Sequence, residues 1–242
     1  MSTPTFHYPA LTEDPAQLIH LHGKEAWHAL GVRRLSVGDA IRVMDGHGRI
    51  AEGIVERMDG RHEAWLRVSA LRDIPALQPD IVLASAIAKG DRQSTMLDMA
   101  TQLGVSAYQP LRCARSVRTG SDHATERWQR ICLEACKQSG SAWLPEILPV
   151  DDPVETVARA VAQGRQAILA HPDGAAIGGL AEADAITILI GPEGGFTTSE
   201  VDQMIHAGAV AVDLGRRVLR VETAAAGLIA YLRLSRACQA IP

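Results

Sequence analysis

The sequence predicts an α/β protein in two parts, a small antiparallel β-domain followed by a larger domain of alternating strands and helices. Short alternating apolar runs end in turns before residue 73, and a segment with two prolines follows at 72–80. Beyond it, continuous apolar runs alternate with amphipathic segments, which is typical of a mainly parallel sheet. We therefore expect one domain at 1–73 and a second at 78–242.

Three runs predict the strands of the first domain. "AIRVMDG" (40–46) alternates apolar and other residues and closes in Asp-Gly, "RIAEGIVERMDG" (49–60) closes in the same way, and "HEAWLRVSAL" (62–71) is the third. Asp-Gly between such runs is a strong hairpin signal. Residues 28–73 as a whole therefore predict a small antiparallel sheet or barrel.

The second domain begins with a clear strand and helix. "DIVLASAIA" (80–88) is apolar throughout, as strands buried on both faces are, and "DRQSTMLDMATQLG" (91–104) carries apolar residues at helical spacing. Gly104 is a typical helix end. The same alternation continues with strands at 105–111, 166–172, 186–192 and 209–215 and helices at 124–140, 154–164, 200–208 and 221–238.

Composition indicates an ordinary globular protein of 242 residues, with 47% hydrophobic and 21% charged residues. No apolar run reaches the roughly 18 residues of a membrane span. The first residues lack the basic start and apolar core of a signal peptide, so we expect a cytoplasmic protein.

Charge and cysteine content narrow the choice of partners. The net charge of −4 argues mildly against nucleic acid, but only three of the 24 basic residues are lysine, and arginine is favoured where planar contacts to phosphate matter. The alternative is that these arginines are solvated or paired on exposed helices. Cys132 and Cys136 are four residues apart and would share one face of a helix. They are either two buried core thiols or half of the ligands of a metal site, and we expect no metal.

The stretch "TILIGPEGGFTTSE" (187–200) combines a buried strand, a glycine-rich bend and a helix start, in which Thr197 and Glu200 form a capping box. In α/β sheets ligands bind beyond the carboxyl ends of strands, where this bend lies. It is neither a P-loop nor G-x-G-x-x-G, and Glu193 would repel phosphate. The ligand is then neutral, cationic or bound by backbone, unless the bend is a tight turn without a ligand.

Two further strand ends repeat this design. "DLGRRVLRVETAAAG" (213–227) passes from a strand through an arginine-rich bend into a helix whose first turns contain small residues. "LAHPDG" (169–174) is the third, although its His171 alone is weak evidence for catalysis.

The blocks "LIGPEGGFTTSE" and "LGRRVLRVETAAA" together resemble the RsmE-type ribosomal RNA uridine methyltransferases of the SPOUT superfamily. "KGDR", "TQLGV", "QPLRCARSV" and "RWQRICLEACKQSG" resemble further blocks of that family in the same order, and "HALGVRRLSVGD" resembles one from its N-terminal domain. The resemblance covers most of the chain.

The resemblance implies a fold, a cofactor and a substrate. The N-terminal domain would be a PUA-like β-barrel that helps to bind RNA, and the C-terminal domain an α/β methyltransferase with a deep trefoil knot, an exception to the usual unknotted topology. The family transfers a methyl group from S-adenosyl-L-methionine to N3 of a uridine in the 16S ribosomal RNA of the small subunit, and it works as a homodimer.

The resemblance also implies site residues. Arg220 would contact the target uridine or its phosphate, or would be a structural arginine paired with Glu222 or Glu193. Glu193 and Glu222 are the candidates for the base; the alternative is that they only hold the loops together. The cofactor would be bound by Leu169, His171, Gly191, Pro192, Glu193, Gly195, Leu214, Gly215, Val218, Leu219, Glu222, Thr223 and Ala224. RNA would be bound by Arg33, Arg34, Lys89, Arg92, Arg112 and Arg115.

Three departures from the family pattern keep other functions open. Ser141 and Thr5 stand where the family usually has arginine, and 93–95 lacks the usual acidic residue. One alternative is an RNA-binding or ribosome-assembly protein of the same fold with weak or no transfer, or one that methylates another nucleotide. Another is a different α/β enzyme with a nucleotide cofactor, which the missing phosphate loops disfavour.

Overall fold

The computed structural model describes residues 3–14, 17–116, 122–177 and 183–239 and divides into two compact units. One unit comprises Met1–Ala76 with Cys136–Leu144, and the other comprises Leu77–Ala135 with Pro145–Pro242. The segment Cys136–Leu144 includes the last turn of a helix, so a single helix contributes residues to both units.

A five-stranded sheet forms the N-terminal unit, in the order β1-β3-β4-β5-β2. The three predicted strands, β3, β4 and β5, are confirmed and pair antiparallel, whereas β1 pairs parallel to β3, so the sheet is mixed. β1 and β2 were not predicted: β1 has only three residues, too few for a periodic signal, and no Asp-Gly turn closes β2 as it closes β3. The strands are β1 Thr5–His7, β2 Leu18–His22, β3 Ala40–Met44, β4 Arg49–Asp59 and β5 Glu63–Asp73.

A short helical segment interrupts the residues from 28 onward that were predicted to be extended. Helix α1, Gly23–Ala26, continues into a π-helical turn, Trp27–Val32, which buries Ala29 and Leu30. A Cβ on Gly31 would approach the Trp27 ring to 2.9 Å, so the indole lies directly over the backbone there. The prediction was wrong for 28–32, where a helical turn that buries Ala29 and Leu30 replaces the extended pattern.

A fully parallel six-stranded sheet forms the second unit, in the order β11-β9-β10-β6-β7-β8. Its central strands are buried along most of their length, as their continuous apolar sequences predict. Only β8, which has two residues, was not predicted. The strands are β6 Asp80–Ala86, β7 Ala107–Leu111, β8 Glu146–Ile147, β9 Gln166–Ala176, β10 Ala185–Ile190 and β11 Val210–Asp213.

In the part of the chain that the structure describes, four helices connect these strands and a fifth follows the last strand, all at predicted positions. The predicted capping box is confirmed, since Thr197 Oγ1 accepts a hydrogen bond from the Glu200 backbone and the Glu200 carboxylate accepts one from the Thr197 backbone. Within the described residues, no helix is long and apolar enough to cross a membrane. The helices are α2 Asp91–Gln102, α3 Asp122–Ser139, α4 Pro153–Ala162, α5 Thr198–His206 and α6 Val221–Gln239.

The final helix is fixed to the end of α2 by one side chain. Arg233 of α6 donates hydrogen bonds to the carbonyl oxygens of Pro79, Leu103 and Gly104. Gly104 has a φ of +80°, the left-handed conformation that ends a helix, as predicted. Burial lowers the pKa of Arg233 from its usual value, although Asp80 partly opposes this.

Candidate functional site

A bulge within β9 and the loops that follow its two neighbours, β10 and β11, enclose a cavity of about 500 Å³. Because the strands are parallel, their carboxyl ends meet at one edge of the sheet, which is where ligands of such folds bind. The volume lies within the usual range for small-molecule sites. The wall consists of Ala170, His171, Pro172, Ile190, Gly191, Pro192, Glu193, Gly194, Gly195, Phe196, Asp213, Leu214, Gly215, Arg217, Val218, Leu219, Arg220, Val221 and Ala224.

The first wall segment is a bulge in β9. Ala211 of β11 pairs with Leu169, but the next residue, Val212, pairs with Ala175, so the residues between Leu169 and Ala175 are looped out. A Cβ on Gly174 would lie 2.4 Å from the Val212 backbone, so only glycine permits this approach. The bulge presents His171 to the cavity, and the His171 Nδ1 lies 3.2 Å from the Asp173 backbone nitrogen, which donates a hydrogen bond to it.

The second wall segment is the glycine-rich bend after β10. A Cβ on Gly191 would come within 2.9 Å of the Phe196 ring, which closes the bend from inside. Gly195 has a φ of +68°, and its backbone nitrogen donates a hydrogen bond to the Pro192 carbonyl at 2.8 Å. A Cβ on Gly195 would meet no atom within 4 Å, so this part of the bend faces open space.

Residues that follow β7 hold the bend from outside. Arg115 Nη1 donates hydrogen bonds to the carbonyl oxygens of Gly194, at 2.8 Å, and Phe196, at 3.3 Å. Glu200 Oε1 accepts a hydrogen bond from the Ala114 backbone at 2.7 Å. Burial disfavours the charged form of Glu200, but hydrogen bonds from the Thr197 and Ala114 backbones outweigh it and lower the pKa of this carboxyl.

The third wall segment is the exposed loop after β11. Asp213 Oδ1 accepts a hydrogen bond from the Gly215 backbone nitrogen at 2.9 Å, and Gly215 has a φ of +109°. The side chains that follow are exposed up to the start of α6, and Val218 is 99% exposed. Arg217 and Arg220 belong to the wall, so two guanidinium groups border the cavity on this side.

Two carboxylates beside the cavity contact one arginine. Arg92 Nη1 lies 3.7 Å from Glu193 Oε1, and Arg92 Nε lies 4.0 Å from Glu222 Oε1. The sequence left open whether Arg220 pairs with either carboxylate. In the part of the chain that the structure describes, Arg220 makes no ion pair, and the partner of both carboxylates is Arg92.

Most residues that were predicted to bind the cofactor lie in the cavity wall. The exceptions among the described residues are Leu169, buried in the core, Glu222, which is 9% exposed, and Thr223, exposed at the start of α6. Eight further wall residues were not predicted. They are sequence neighbours of the predicted residues, so a prediction that covered each wall segment in full would have included them. These residues are Ala170, Pro172, Ile190, Gly194, Phe196, Asp213, Arg217 and Val221.

The arginines and the lysine that were predicted to bind RNA fall into two groups. Arg33, Arg34, Lys89 and Arg112 are exposed, and Arg34 has a φ of +58°. Arg92 and Arg115 instead contact protein groups around the cavity, as described above. The four side chains of the first group are therefore the better candidates for phosphate contacts.

The departures from the family pattern have local structural roles. Gln93 is buried, and its Oε1 accepts a hydrogen bond from the Ala88 backbone at 3.0 Å. Ser141 Oγ donates to the Trp143 carbonyl at 3.1 Å, and Thr5 pairs with Arg42 in the N-terminal sheet.

The cysteines have the character of core residues. Cys113, Cys132 and Cys136 are buried, and burial raises the pKa of the Cys113 thiol to about 12. No group of three or more potential metal ligands occurs among the described residues.

Comparison with known protein families gives two matches that together cover most of the chain. Residues 76–233 match the RNA methyltransferase domain, and residues 21–69 match the RNA methyltransferase PUA domain. Ribosomal RNA small subunit methyltransferase E of Mycobacterium bovis is 32% identical over 226 residues, which cover 88% of this chain and 85% of the relative. The Bacillus subtilis protein of the same name is 27% identical over 225 residues, covering 87% of this chain and 88% of the relative.

Solved structures of similar proteins cover nearly the full length. Ribosomal RNA small subunit methyltransferase E from Neisseria gonorrhoeae, bound to S-adenosyl methionine, has a TM-score of 0.88 at 28% identity and covers 97% of this chain and 98% of its own. A putative methyltransferase from Legionella pneumophila, in complex with the same cofactor, has a TM-score of 0.87 at 26% identity, with the same two coverages.

Proposed function

Because the chain belongs to the family of ribosomal RNA small subunit methyltransferase E, we propose that it methylates N3 of one uridine in 16S ribosomal RNA within the small subunit, with S-adenosyl-L-methionine as the donor. The family matches also confirm the expected architecture, an N-terminal PUA-like domain and a C-terminal methyltransferase domain of the SPOUT type. The trefoil knot and the homodimer stay predictions.

The cavity fits the donor by its chemistry. S-adenosyl-L-methionine carries a sulfonium cation and no phosphate, and this wall combines backbone-rich bends with the carboxylates of Glu193 and Asp213. Open space at Gly195 and Gly215 lets a ligand approach the backbone there. Apolar groups from Ile190, Phe196, Leu219, Val221 and Ala224 would pack against the ligand, which is the usual composition of a small-molecule site.

The observation that carries this proposal is that three wall segments, the bulge in β9, the bend after β10 and the loop after β11, surround one cavity. The bound donor supplies an electrophilic methyl group. The protein has to orient the base in line with that group, accept the N3 proton and stabilise the imide anion.

Arg220 and Glu193 are the side chains that we assign to these tasks. Arg220 is exposed, unpaired within the described residues and part of the wall, so its guanidinium is free to stabilise the imide anion. Glu193 also belongs to the wall and would accept the N3 proton, so that the N3 lone pair would form the new N–CH3 bond while the S–CH3 bond of the donor breaks and its electron pair stays on sulfur. Glu222 lies outside the wall, so it is the weaker candidate for the base.

RNA binding is supported by the charge around the mouth of the cavity. Arg216, Arg217 and Arg220 lie on one exposed loop, where they can contact phosphates on either side of the target nucleotide. The target uridine has to leave its stack to enter the cavity. Exposed Arg33 and Arg34 of the PUA-like domain would contact other phosphates of the RNA.

The test uses purified protein, labelled S-adenosyl-L-methionine and small ribosomal subunits that lack the modification, followed by nucleoside mass spectrometry. We expect N3-methyluridine at one site. Another methylated nucleoside would mean that the target differs. Donor binding without any transfer would instead indicate an RNA-binding protein of this fold. Light scattering of the purified protein tests the homodimer separately.

A further inference from the structure

Arg92 links two walls of the cavity without belonging to either. It lies in the first turn of α2 and reaches Glu193 in the bend after β10 and Glu222 in the first turn of α6. Both separations, 3.7 Å and 4.0 Å, are ion contacts rather than hydrogen bonds. A single guanidinium therefore balances the charge of two segments that the chain brings together from distant positions.

Glu222 depends strongly on this contact. The residue is 9% exposed, and its Oε2 is enclosed and accepts no hydrogen bond. Within the described parts of the chain, no cation other than Arg92 lies at ion-pair distance from it. A buried carboxylate oxygen without a partner is unfavourable and requires an explanation. Its neighbour Val221 and nearby Ala224 form part of the cavity wall, so the position of Glu222 affects the shape of the site.

Glu193 needs a counter-charge for a second reason. Two carboxylates that share one guanidinium repel each other once that guanidinium is removed. Arg115 holds the carbonyl groups of the same bend, but it does not neutralise the Glu193 side chain. Loss of Arg92 would therefore push the bend away from α6 and widen the cavity.

The same geometry disfavours a phosphate contact for Arg92. Its charge is already balanced by two acidic neighbours, and its side chain is only 41% exposed. Lys89, three residues earlier, is exposed and has no ion pair among the described residues. Of the two, Lys89 is the residue suited to phosphate.

We infer that Arg92 is a positioning residue for the donor site, which holds the bend after β10 and the start of α6 together through Glu193 and Glu222. This inference rests on the proposed function, since it assigns the cavity to the methyl donor. Arg92 acts through the two carboxylates and not by touching the substrate.

The experiment compares Arg92→Gln, Arg92→Lys, Glu222→Gln and the double variant Arg92→Gln/Glu222→Gln by calorimetry with S-adenosyl-L-methionine. We expect Arg92→Gln to weaken donor binding on the order of tenfold, within the range for neighbouring groups in one ion network. Arg92→Lys keeps the charge but not the planar fork, so its loss is smaller. The double variant loses less than the sum of the two single variants, because the repelling charge is gone.

Lys89→Gln is the matched comparison. We expect it to keep the donor affinity and to lower the salt dependence of RNA binding, whereas Arg92→Gln changes the KM for the donor more than that for RNA. Wild-type donor affinity in Arg92→Gln, or strictly additive losses in the double variant, would overturn the inference. If the wild-type protein does not bind the donor, the proposed function fails. The coupling between Arg92 and Glu222 is then measured by thermal unfolding of the same four variants.

Discussion

Arg115 Nη1 lies 2.8 Å from the carbonyl oxygen of Gly194 and donates a hydrogen bond to it across 79 positions of the sequence. The same nitrogen contacts the Phe196 carbonyl at 3.3 Å. Arg115 was expected to bind RNA, yet in the free protein it holds the outer side of the glycine-rich bend. The two roles predict different consequences of mutation.

We expect Arg115→Gln to weaken donor binding by about threefold to tenfold, because the variant loses the two hydrogen bonds that one nitrogen shares, which together contribute roughly 1 kcal/mol. Calorimetry with S-adenosyl-L-methionine measures the change. Arg112→Gln is the control, since Arg112 is exposed in the same segment, and among the described residues its side chain makes no hydrogen bond or ion pair to the bend. Equal donor affinities in the two variants would return Arg115 to the role of an RNA contact.

Two Gly→Ala substitutions should change stability in opposite directions. Gly227 is exposed within α6, and a Cβ there meets no atom within 4 Å, so alanine should raise the free energy of unfolding by about 0.5–1 kcal/mol. A Cβ on Gly174 would lie 2.4 Å from the Val212 backbone, so alanine there should lower it by roughly 2 kcal/mol. Denaturant titration of both variants measures the difference, and a stable Gly174→Ala protein would disprove the tight approach in the bulge.

Glu200 should make stability depend on acid pH. Its pKa is lowered from the usual 4.5, so the charged carboxylate stabilises the fold above about that pH, and the contribution is lost as the pH falls through the lowered pKa. Glu200→Gln places a neutral amide opposite the backbone donors and should lower the free energy of unfolding by about 1 kcal/mol at pH 7. The difference from the wild-type protein should shrink as the pH falls. Glu155→Gln, at an exposed first-turn glutamate of α4, is the control. A difference that is constant between pH 7 and pH 3 would contradict the assignment.

The buried thiol of Cys113 should be unreactive in the folded protein. Burial raises its pKa from 9.0 to about 12, which lowers the thiolate fraction roughly a thousandfold. Iodoacetamide at pH 8.5 should leave Cys113 unmodified in the native state and alkylate it in guanidinium chloride, as peptide mass spectrometry can show. Rapid labelling of the native protein would mean that the segment after β7 opens.

The sequence predicted those features that depend on neighbouring residues. Continuous apolar runs predicted β6 and β10, and the Thr197–Glu200 spacing predicted the capping box, because each is a local pattern. The bulge in β9 depends on a close approach between Gly174 and Val212, which no local pattern encodes. β8 was missed for a simpler reason, since two residues carry no periodicity.

The candidate site shows the same division. The three bends were predicted from glycine content and strand ends, and most of the residues named in them line one cavity. The contacts of Arg92 and Arg115 were not predicted, because their partners lie far away in the sequence. A guanidinium binds a phosphate or a carboxylate equally well, so the sequence does not show which of them is the partner of an arginine, whereas the fold does.

Arg220 should separate donor binding from methyl transfer. We expect Arg220→Ala to keep the donor affinity, since many backbone and apolar groups line the cavity, and to lower kcat roughly a hundredfold through loss of anion stabilisation. Single-turnover transfer to small subunits, with calorimetry of donor binding, measures both quantities.

Arg216→Ala is the matched control for that variant, because Arg216 is exposed on the same loop but does not belong to the cavity wall. Its loss should raise the KM for RNA and leave the transfer step in the bound complex nearly unchanged, since it removes only a phosphate contact. If Arg220→Ala showed this same pattern, Arg220 would be a phosphate contact as well. The imide anion would then have to be stabilised by another group in the wall, and Arg217 is the other arginine among the lining residues that the structure describes.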